Sequence, residues 1–321
     1  MNGFKWSINI NNATLEGLKK TIYDIHKTPT LASNNSAVLD FGNGSIKYKP
    51  RNDQDFRVML RQLVSKNDLK FIAYVITPSK PFSEWELQDV CELYGLIDEG
   101  GDASLDNFPV FTCGSKDLND RTSQEIFKKL MEVLYFKLGI TPVNLNKASR
   151  SLYVHPFLVA GARLYEKKFK VKPQYNIKGV NGHGPVDYAI EFQNSNIIGV
   201  TEVKREDFDK GVAQNAVQIE TALSNKRKAS EMEDSELKDK AIGIVTDGEK
   251  WYFMECIYDN NGKPNFKLSD SVIVDYKSDD IEIRVGRVLG HIAWLLEEVQ
   301  KPAEGLQSEG KSKAKRQKNS E

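Results

Sequence analysis

Two neighbouring apolar runs decide the fold: Gly184-Pro-Val-Asp-Tyr-Ala-Ile-Glu-Phe192 and Ile197-Ile-Gly-Val-Thr-Glu-Val-Lys204. Both runs are rich in β-branched and aromatic residues, which favours β-strands over helices. The four polar residues between them, 193–196, have a common length for a hairpin loop. We therefore predict an antiparallel pair of strands in which Phe192 pairs with Ile197.

This register predicts a pair of acidic side chains on one strand face. Asp187 lies directly opposite Glu202, with Cβ atoms about 5 Å apart, and Lys204 shares the face of Glu202. The other face of the first strand is predicted to hold Val186, Tyr188 and Ile190.

Like charges that face each other destabilise a sheet, so the sequence favours a cation between these two carboxylates. Ligation by oxygen alone suits Mg²⁺ or Mn²⁺. A second interpretation stays open on geometry alone: Asp187 forms an ordinary ion pair with Lys204, and Glu202 and Lys204 are surface charges on an edge strand.

Apolar periodicity predicts an α+β fold class with two folded units. The domain prediction is a small module over 1–97, a linker over 98–120, a larger unit over 121–302 and a basic tail over 303–321. The small module is predicted to contain a strand at 4–8, a helix at 15–25, a hairpin at 38–48, a helix at 53–63, a strand at 70–77 and a helix at 84–93 capped by Ser83.

The larger unit has a different order of elements. We predict helices at 123–138, 148–169, 207–223 and 279–299, and strands at 174–178, 185–192, 197–204, 241–246 and 250–257. The stretch 224–240 is rich in charge and is predicted to be a solvated insertion.

Composition excludes several classes of protein. The 321 residues carry 45 basic and 45 acidic side chains, so net charge gives no indication of a nucleic-acid partner. Apolar runs are far shorter than the roughly 20 residues of a membrane span, so no membrane partner is expected. The three scattered cysteines predict neither a disulfide framework nor a zinc site. No secretory signal is expected at the start of the chain, and the basic run 311–318 predicts import into the nucleus.

The spacing of the acidic residues resembles a known signature. Pro185 and Asp187, followed after fourteen intervening residues by Glu202, Val203 and Lys204, are similar to the PD-(D/E)XK nuclease motif. A following helix with Gln214 and Gln218, and paired strands over 243–253, extend the resemblance. Residues 121–302 resemble the nuclease-like C-terminal domains of Crinkler-type effectors, whereas the first module is weakly similar to ubiquitin-like and PB1-like domains.

The resemblance implies a mixed central sheet flanked by helices and a metal-dependent nuclease that hydrolyses DNA. Asp187, Glu202 and the main-chain carbonyl of Val203 would hold Mg²⁺ or Mn²⁺. Lys204 would orient or deprotonate the attacking water, and Gln214 and Gln218 would orient Lys204 or contact phosphate. DNA is the expected partner, with a protein partner for the first module and the nucleus as the expected location.

One position departs from the resemblance. Such domains carry an acidic residue on their first core helix, and here that position holds Lys147. Either Glu166 or another acid replaces it, or the site has lost part of its activity. The alternative function is therefore an effector that keeps the nuclease fold, binds nucleic acid or a nuclear protein, and no longer cleaves.

Overall fold

The computed structural model describes residues 3–26, 38–44, 46–76, 79–97, 101–192, 196–233, 240–259 and 262–300. These residues form two β-sheets, one of three strands and one of eight. Helices accompany both sheets, so the predicted α+β fold class is confirmed. The basic tail at 303–321 lies outside the described residues.

The first module packs around the three-stranded sheet. Its strands are β1 (Val38–Asn43), β2 (Ile46–Tyr48) and β3 (Ile72–Ile76), in the order β2-β1-β3, and both pairings are antiparallel. Helices α1 (Leu15–His26) and α2 (Asp53–Ser65) supply the other half of its core. The predicted helices at 15–25 and 53–63, the hairpin and the strand near 70–77 are confirmed within a few residues.

The predicted first strand at 4–8 is wrong. Residues 3–9 have no regular structure. The apolar residues of this segment anchor an irregular stretch instead, because the Trp6 ring stacks on Phe56 with centroids 6.0 Å apart. Alternation of apolar and polar residues predicted a strand, but no described strand lies beside this segment to complete its hydrogen bonds.

The segment 79–97 packs with the larger sheet and not with the first module. Strand β4 (Lys80–Pro81) pairs in parallel with the start of β6 (Gly182–Phe192), and helix α3 (Leu87–Tyr94) joins the core under that sheet. The cap of α3 is Glu86 in a capping box with Asp89, so the predicted Ser83 cap is wrong. The predicted unit 1–97 thus divides between two cores.

The larger sheet follows the order β10-β9-β8-β7-β6-β4, with β5 beside β6 and β11 beside β9. Its remaining strands are β5 (Lys170–Lys178), β7 (Asn196–Val203), β8 (Lys240–Thr246), β9 (Lys250–Tyr258), β10 (Pro264–Leu268) and β11 (Val272–Ile273). The long helices are α4 (Arg121–Leu138), α5 (Lys147–Arg163), α6 (Phe208–Glu233) and α7 (Ile281–Glu298).

Helices cover both faces of this sheet and make three layers. Helices α4, α5 and α7 bury one face, and α3 with α6 buries the other. β7 and β8 are parallel neighbours joined by α6, whereas β5, β6 and β7 form an antiparallel meander. Two polar residues of α6 contact the second half of β7: Asn215 donates to the Val200 carbonyl and Gln218 donates to the Glu202 carboxylate.

The β6–β7 register matches the prediction only near the predicted site. Phe192 pairs with Asn196 and not with Ile197, so the start of the hairpin differs from the prediction by one residue. A bulge then shifts the register, and Tyr188 pairs with Thr201. The next residues along the two strands are Asp187 and Glu202, which is the predicted relationship.

Two stretches predicted as irregular contribute to the larger unit. Helix α6 continues to Glu233, and Lys226 is buried, so the prediction of a solvated insertion over 224–240 is wrong for its described first part. The remainder, 234–239, lies outside the described residues. In the predicted linker, the buried Phe108 ring contacts Phe266, and Val110 bridges to Leu268.

Candidate functional site

Two buried carboxylates meet at the end of the β6–β7 pair. Asp187 and Glu202 are 7% and 5% exposed, so both carboxylates need charged or hydrogen-bonding partners inside the protein. The backbone N–H of Val203 donates to Asp187 Oδ2 over 2.8 Å, which ties the Asp187 side chain to the neighbouring strand. The predicted pairing of these two acids in space is thereby met.

A lysine ammonium lies between the two carboxylates. Lys147 Nζ is 2.8 Å from Asp187 Oδ2 and 3.5 Å from Glu202 Oε1. Burial opposes the charged form, but the Glu202 and Asp187 carboxylates outweigh it and hold the pKa of Lys147 above its ordinary value. Lys147 starts α5 directly after Asn146, whose side chain caps the helix by accepting from Ser149 N–H.

The outer carboxylate oxygens are held by side-chain amides. Gln174 donates to Asp187 Oδ1 over 3.1 Å, and Gln218 donates to Glu202 Oε2 over 2.9 Å. Each amide fixes the rotation of its carboxylate, because the other oxygen of each is already bound on the inner side. The inner oxygens, Asp187 Oδ2 and Glu202 Oε1, therefore both point towards one cationic group.

Lys204 and the helix glutamines join the same cluster. Lys204 Nζ is 3.2 Å from Glu202 Oε1 and also donates to Gln214 Oε1. The fully buried Asn215 donates to Gln218 Oε1 over 3.3 Å, so it orients the amide that reaches Glu202. The structure thus brings together Asp187, Glu202, Lys204, Gln214 and Gln218, all of which the sequence singled out.

The predicted alternation of β6 breaks at Asp187. Val186 packs with the helix α6 side of the sheet, whereas Tyr188 and Ile190 pack on the opposite side. The prediction that these three residues share a face is therefore wrong for Val186. The adjacent β5 residue, Gln174, has a left-handed backbone with φ 47° and lies across from the break, between the pairs Pro173–Tyr188 and Tyr175–Val186.

The donor set suits a hard cation but is small. Asp187 and Glu202 each direct one oxygen at the Lys147 ammonium, and two converging carboxylate oxygens also match the ligand chemistry of Mg²⁺ or Mn²⁺. Within the residues that the structure describes, no group of three or more His, Cys, Asp or Glu side chains could hold a metal. The remaining ligands would be water, substrate oxygens and the predicted Val203 carbonyl.

Glu166 does not replace the missing helix acid. Lys147 is the first residue of α5, and Glu166 follows its last residue, Arg163. A helix of 17 residues is about 25 Å long. Glu166 therefore lies at the far end of the helix from the paired carboxylates.

Three residues at the site escaped sequence reasoning as contributors. In the sequence, Lys147 stands out only as a departure from a motif, and Asn146 before it indicates a helix start. Gln174 and Asn215 carried no signal, because an isolated amide in a strand or helix has many ordinary roles. Nearby, Arg150 forms a buried ion pair with Asp247 over 2.7 Å, which fixes α5 to the loop after β8.

Fold and site together define a mixed α+β protein with a paired-carboxylate, lysine-containing site at one end of its larger sheet. No model of a known protein family matches the chain. The chain is 50% identical over 308 residues to "Crinkler effector protein 1" of Rhizophagus irregularis (strain DAOM 181602 / DAOM 197198 / MUCL 43194), which covers 95% of this chain and 64% of that protein. It is 29% identical over 119 residues to "Crinkler effector protein 5" of Phytophthora infestans, which covers 36% of this chain and 31% of that protein.

The similarity supports a Crinkler-like effector, and the predicted Crinkler resemblance is confirmed to that extent. The chain spans less than two thirds of the length of either relative. Among the described helices, none has both the length and the apolar character of a membrane span.

Proposed function

We propose that the chain is a metal-dependent phosphodiesterase of the PD-(D/E)XK type that acts on DNA as part of a Crinkler-like effector. The observation that carries the proposal is that Asp187 Oδ2 and Glu202 Oε1 converge on one point, which the Lys147 ammonium occupies, with Lys204 beside them. Two carboxylates and a lysine at the end of a central sheet provide a cation site next to a group that can act on water or phosphate.

The residues divide the work as follows. Asp187 and Glu202 would hold Mg²⁺ or Mn²⁺ through their inner oxygens, and the bound ion would stabilise negative charge on the transferring phosphate. Lys147 must leave its bridging position, and its half-exposed side chain on a flexible stem allows that movement. Lys204, held by Gln214, would orient the attacking water or the phosphate.

Cleavage of supercoiled plasmid in Mg²⁺ or Mn²⁺, with an EDTA control, tests this proposal. Glu202→Gln should lower the cleavage rate by at least about 100-fold, because it removes a charged metal ligand and keeps the side-chain shape. Glu206→Gln is the matched control, since Glu206 is exposed and lies four residues further along the chain. Equal rates for wild type and Glu202→Gln would refute the proposal.

A second function is favoured by Lys147. Its ammonium already supplies a positive charge between the two acids, so the site can be electrostatically balanced without a metal. On this alternative the protein binds nucleic acid or a nuclear protein without cleaving it. Metal-independent DNA binding with no cleavage in Mg²⁺ or Mn²⁺ would support it, and restored metal-dependent cleavage in Lys147→Glu would identify Lys147 as the cause.

We also propose that the protein acts in the nucleus and that its first module binds a protein partner. The basis for nuclear import is the run of five basic residues without an acid between 311 and 318. Deletion of residues 303–321 should reduce nuclear accumulation of a fluorescent fusion. Unchanged nuclear signal would reject the tail as the import sequence.

A further inference from the structure

Gln174 has a backbone conformation that side chains rarely adopt. Its φ is 47°, and the other two described non-glycine residues with positive φ are Asn67 and Glu166. Those two follow the ends of helices α2 and α5, where a left-handed residue is common. Gln174 instead lies in the middle of strand β5, where a left-handed residue costs energy.

The strained residue lies directly across from Asp187. Pro173 pairs with Tyr188 and Tyr175 pairs with Val186, so Gln174 and Asp187 are opposite each other between these two pairs. The Gln174 amide donates to Asp187 Oδ1 over 3.1 Å. Gln174 is itself exposed, so packing of the core does not explain the strained conformation.

We propose that Gln174 is a positioning residue that keeps Asp187 turned towards the cation position; this inference rests on the proposed function. Its amide occupies Oδ1, which leaves Oδ2 to face the shared cation. Without the amide, the Asp187 carboxyl keeps only its Oδ2 contacts with the Val203 N–H and with Lys147, so it is held through one oxygen instead of two. The strained backbone of Gln174 is thus maintained because it places the amide that orients Asp187.

The test is titration of the full chain with Mn²⁺ by calorimetry, without DNA. Gln174→Gly should weaken Mn²⁺ binding about tenfold, the lower end of the effect of removing a group that orients a ligand. Glu166→Gly is the matched control: it also replaces a left-handed residue with glycine, but it lies at the far end of α5, so Mn²⁺ affinity should stay at the wild-type value.

A double-mutant cycle distinguishes positioning from a general loss of structure. Urea unfolding in EDTA should show that Gln174→Gly is strongly non-additive with Asp187→Ala, which removes the acceptor oxygen, and close to additive with Glu202→Gln. Equal Mn²⁺ affinity in wild type and Gln174→Gly, or equal coupling to both acids, overturns the positioning role. A wild-type protein that binds no Mn²⁺ overturns the proposed function itself, and the inference with it.

Discussion

At the scale of single residues, Lys147 changes how the negative charge of the carboxylate pair is balanced. The sequence predicts a divalent cation that offsets two opposed negative charges, whereas the structure places the Lys147 ammonium between them and the Lys204 ammonium beside Glu202. Because Lys147 is half exposed while both acids are buried, the pair depends on a partner that can withdraw into solvent. Loss of that partner leaves two buried charges with reduced compensation.

Lys147→Ala should therefore destabilise the metal-free protein. We expect a loss of about 1–2 kcal/mol in the free energy of unfolding, below the cost for a fully buried pair because Lys147 is half exposed. Urea denaturation at neutral pH in EDTA measures it. Lys129→Ala, on the exposed face of α4, should change stability by less than about 0.5 kcal/mol. Equal effects of the two substitutions would contradict the bridging role.

Gly243 leaves no room for a side chain where β8 contacts α6. A Cβ on Gly243 would lie 2.0 Å from Asn215 Oδ1, in the buried layer between β8 and α6. Gly243→Ala should cost roughly 1–3 kcal/mol by overpacking and should displace the amide that orients Gln218. Gly139→Ala is the control, because nothing lies within 4 Å of its added methyl. Thermal unfolding of both variants checks the difference, and similar melting temperatures would contradict the tight contact.

At the scale of elements, sequence patterns predicted most helices and strands of the larger unit because their apolar periods are long and regular. The position of the site could be predicted because Asp187 and Glu202 lie opposite each other in the register of two adjacent strands. The bulge near Ile198, the break at Asp187 and the Gln174 backbone escaped prediction. Each depends on tertiary contacts that local propensity does not encode, and such departures concentrate at functional sites.

The β5–β6 pair provides a pH-dependent prediction. Burial opposes ionisation of Glu191, but hydrogen-bonded ion pairs with Lys172 and Lys170 outweigh it and hold the pKa of Glu191 below its ordinary value. A lowered pKa contributes stability that is complete above the unfolded value of about 4.3 and is lost as pH falls through the folded value. Glu191→Gln should therefore cost about 1 kcal/mol at pH ~7, a figure reduced because Lys170 is largely exposed.

Urea unfolding of wild type and Glu191→Gln at a series of pH values measures this effect. The difference between them should shrink below about pH 4 and disappear in stronger acid. Glu132→Gln, at an exposed position on α4, should show a small difference at every pH. A Glu191→Gln difference that does not depend on pH would contradict the ion-pair explanation.

At the scale of the whole molecule, the site exists because five elements converge. β5 supplies Gln174, β6 and β7 supply the acids, α5 supplies Lys147 and α6 supplies the glutamines. The core beneath α6 also includes α3, which comes from the stretch that sequence reasoning assigned to the first module. The integrity of the site therefore depends on residues more than fifty positions before its first residue, Lys147, in the sequence.

The boundary between the two cores lies ahead of the segment 79–97, which packs with the larger sheet. Six buried residues of the segment 79–97 belong to the α6 side of the large core: Phe82, Trp85, Leu87, Val90, Cys91 and Tyr94. Burial of a large apolar side chain contributes roughly 1.5–3 kcal/mol. Their combined loss would approach the whole stability of about 5–15 kcal/mol that a folded protein has. A fragment of residues 98–321 should therefore not fold cooperatively.

A fragment of residues 79–321 should retain the cooperative fold, because the core of the first module is formed by residues between Trp6 and Val75. Far-UV circular dichroism and urea unfolding of the two fragments measure the difference. Deletion of residues 1–78 should leave Mn²⁺ binding at the wild-type value, since the described side chains that form hydrogen bonds or ion pairs with Asp187 or Glu202 lie after residue 146. Cooperative unfolding of 98–321 with the midpoint of 79–321 would show that β4 and α3 are dispensable to the large core.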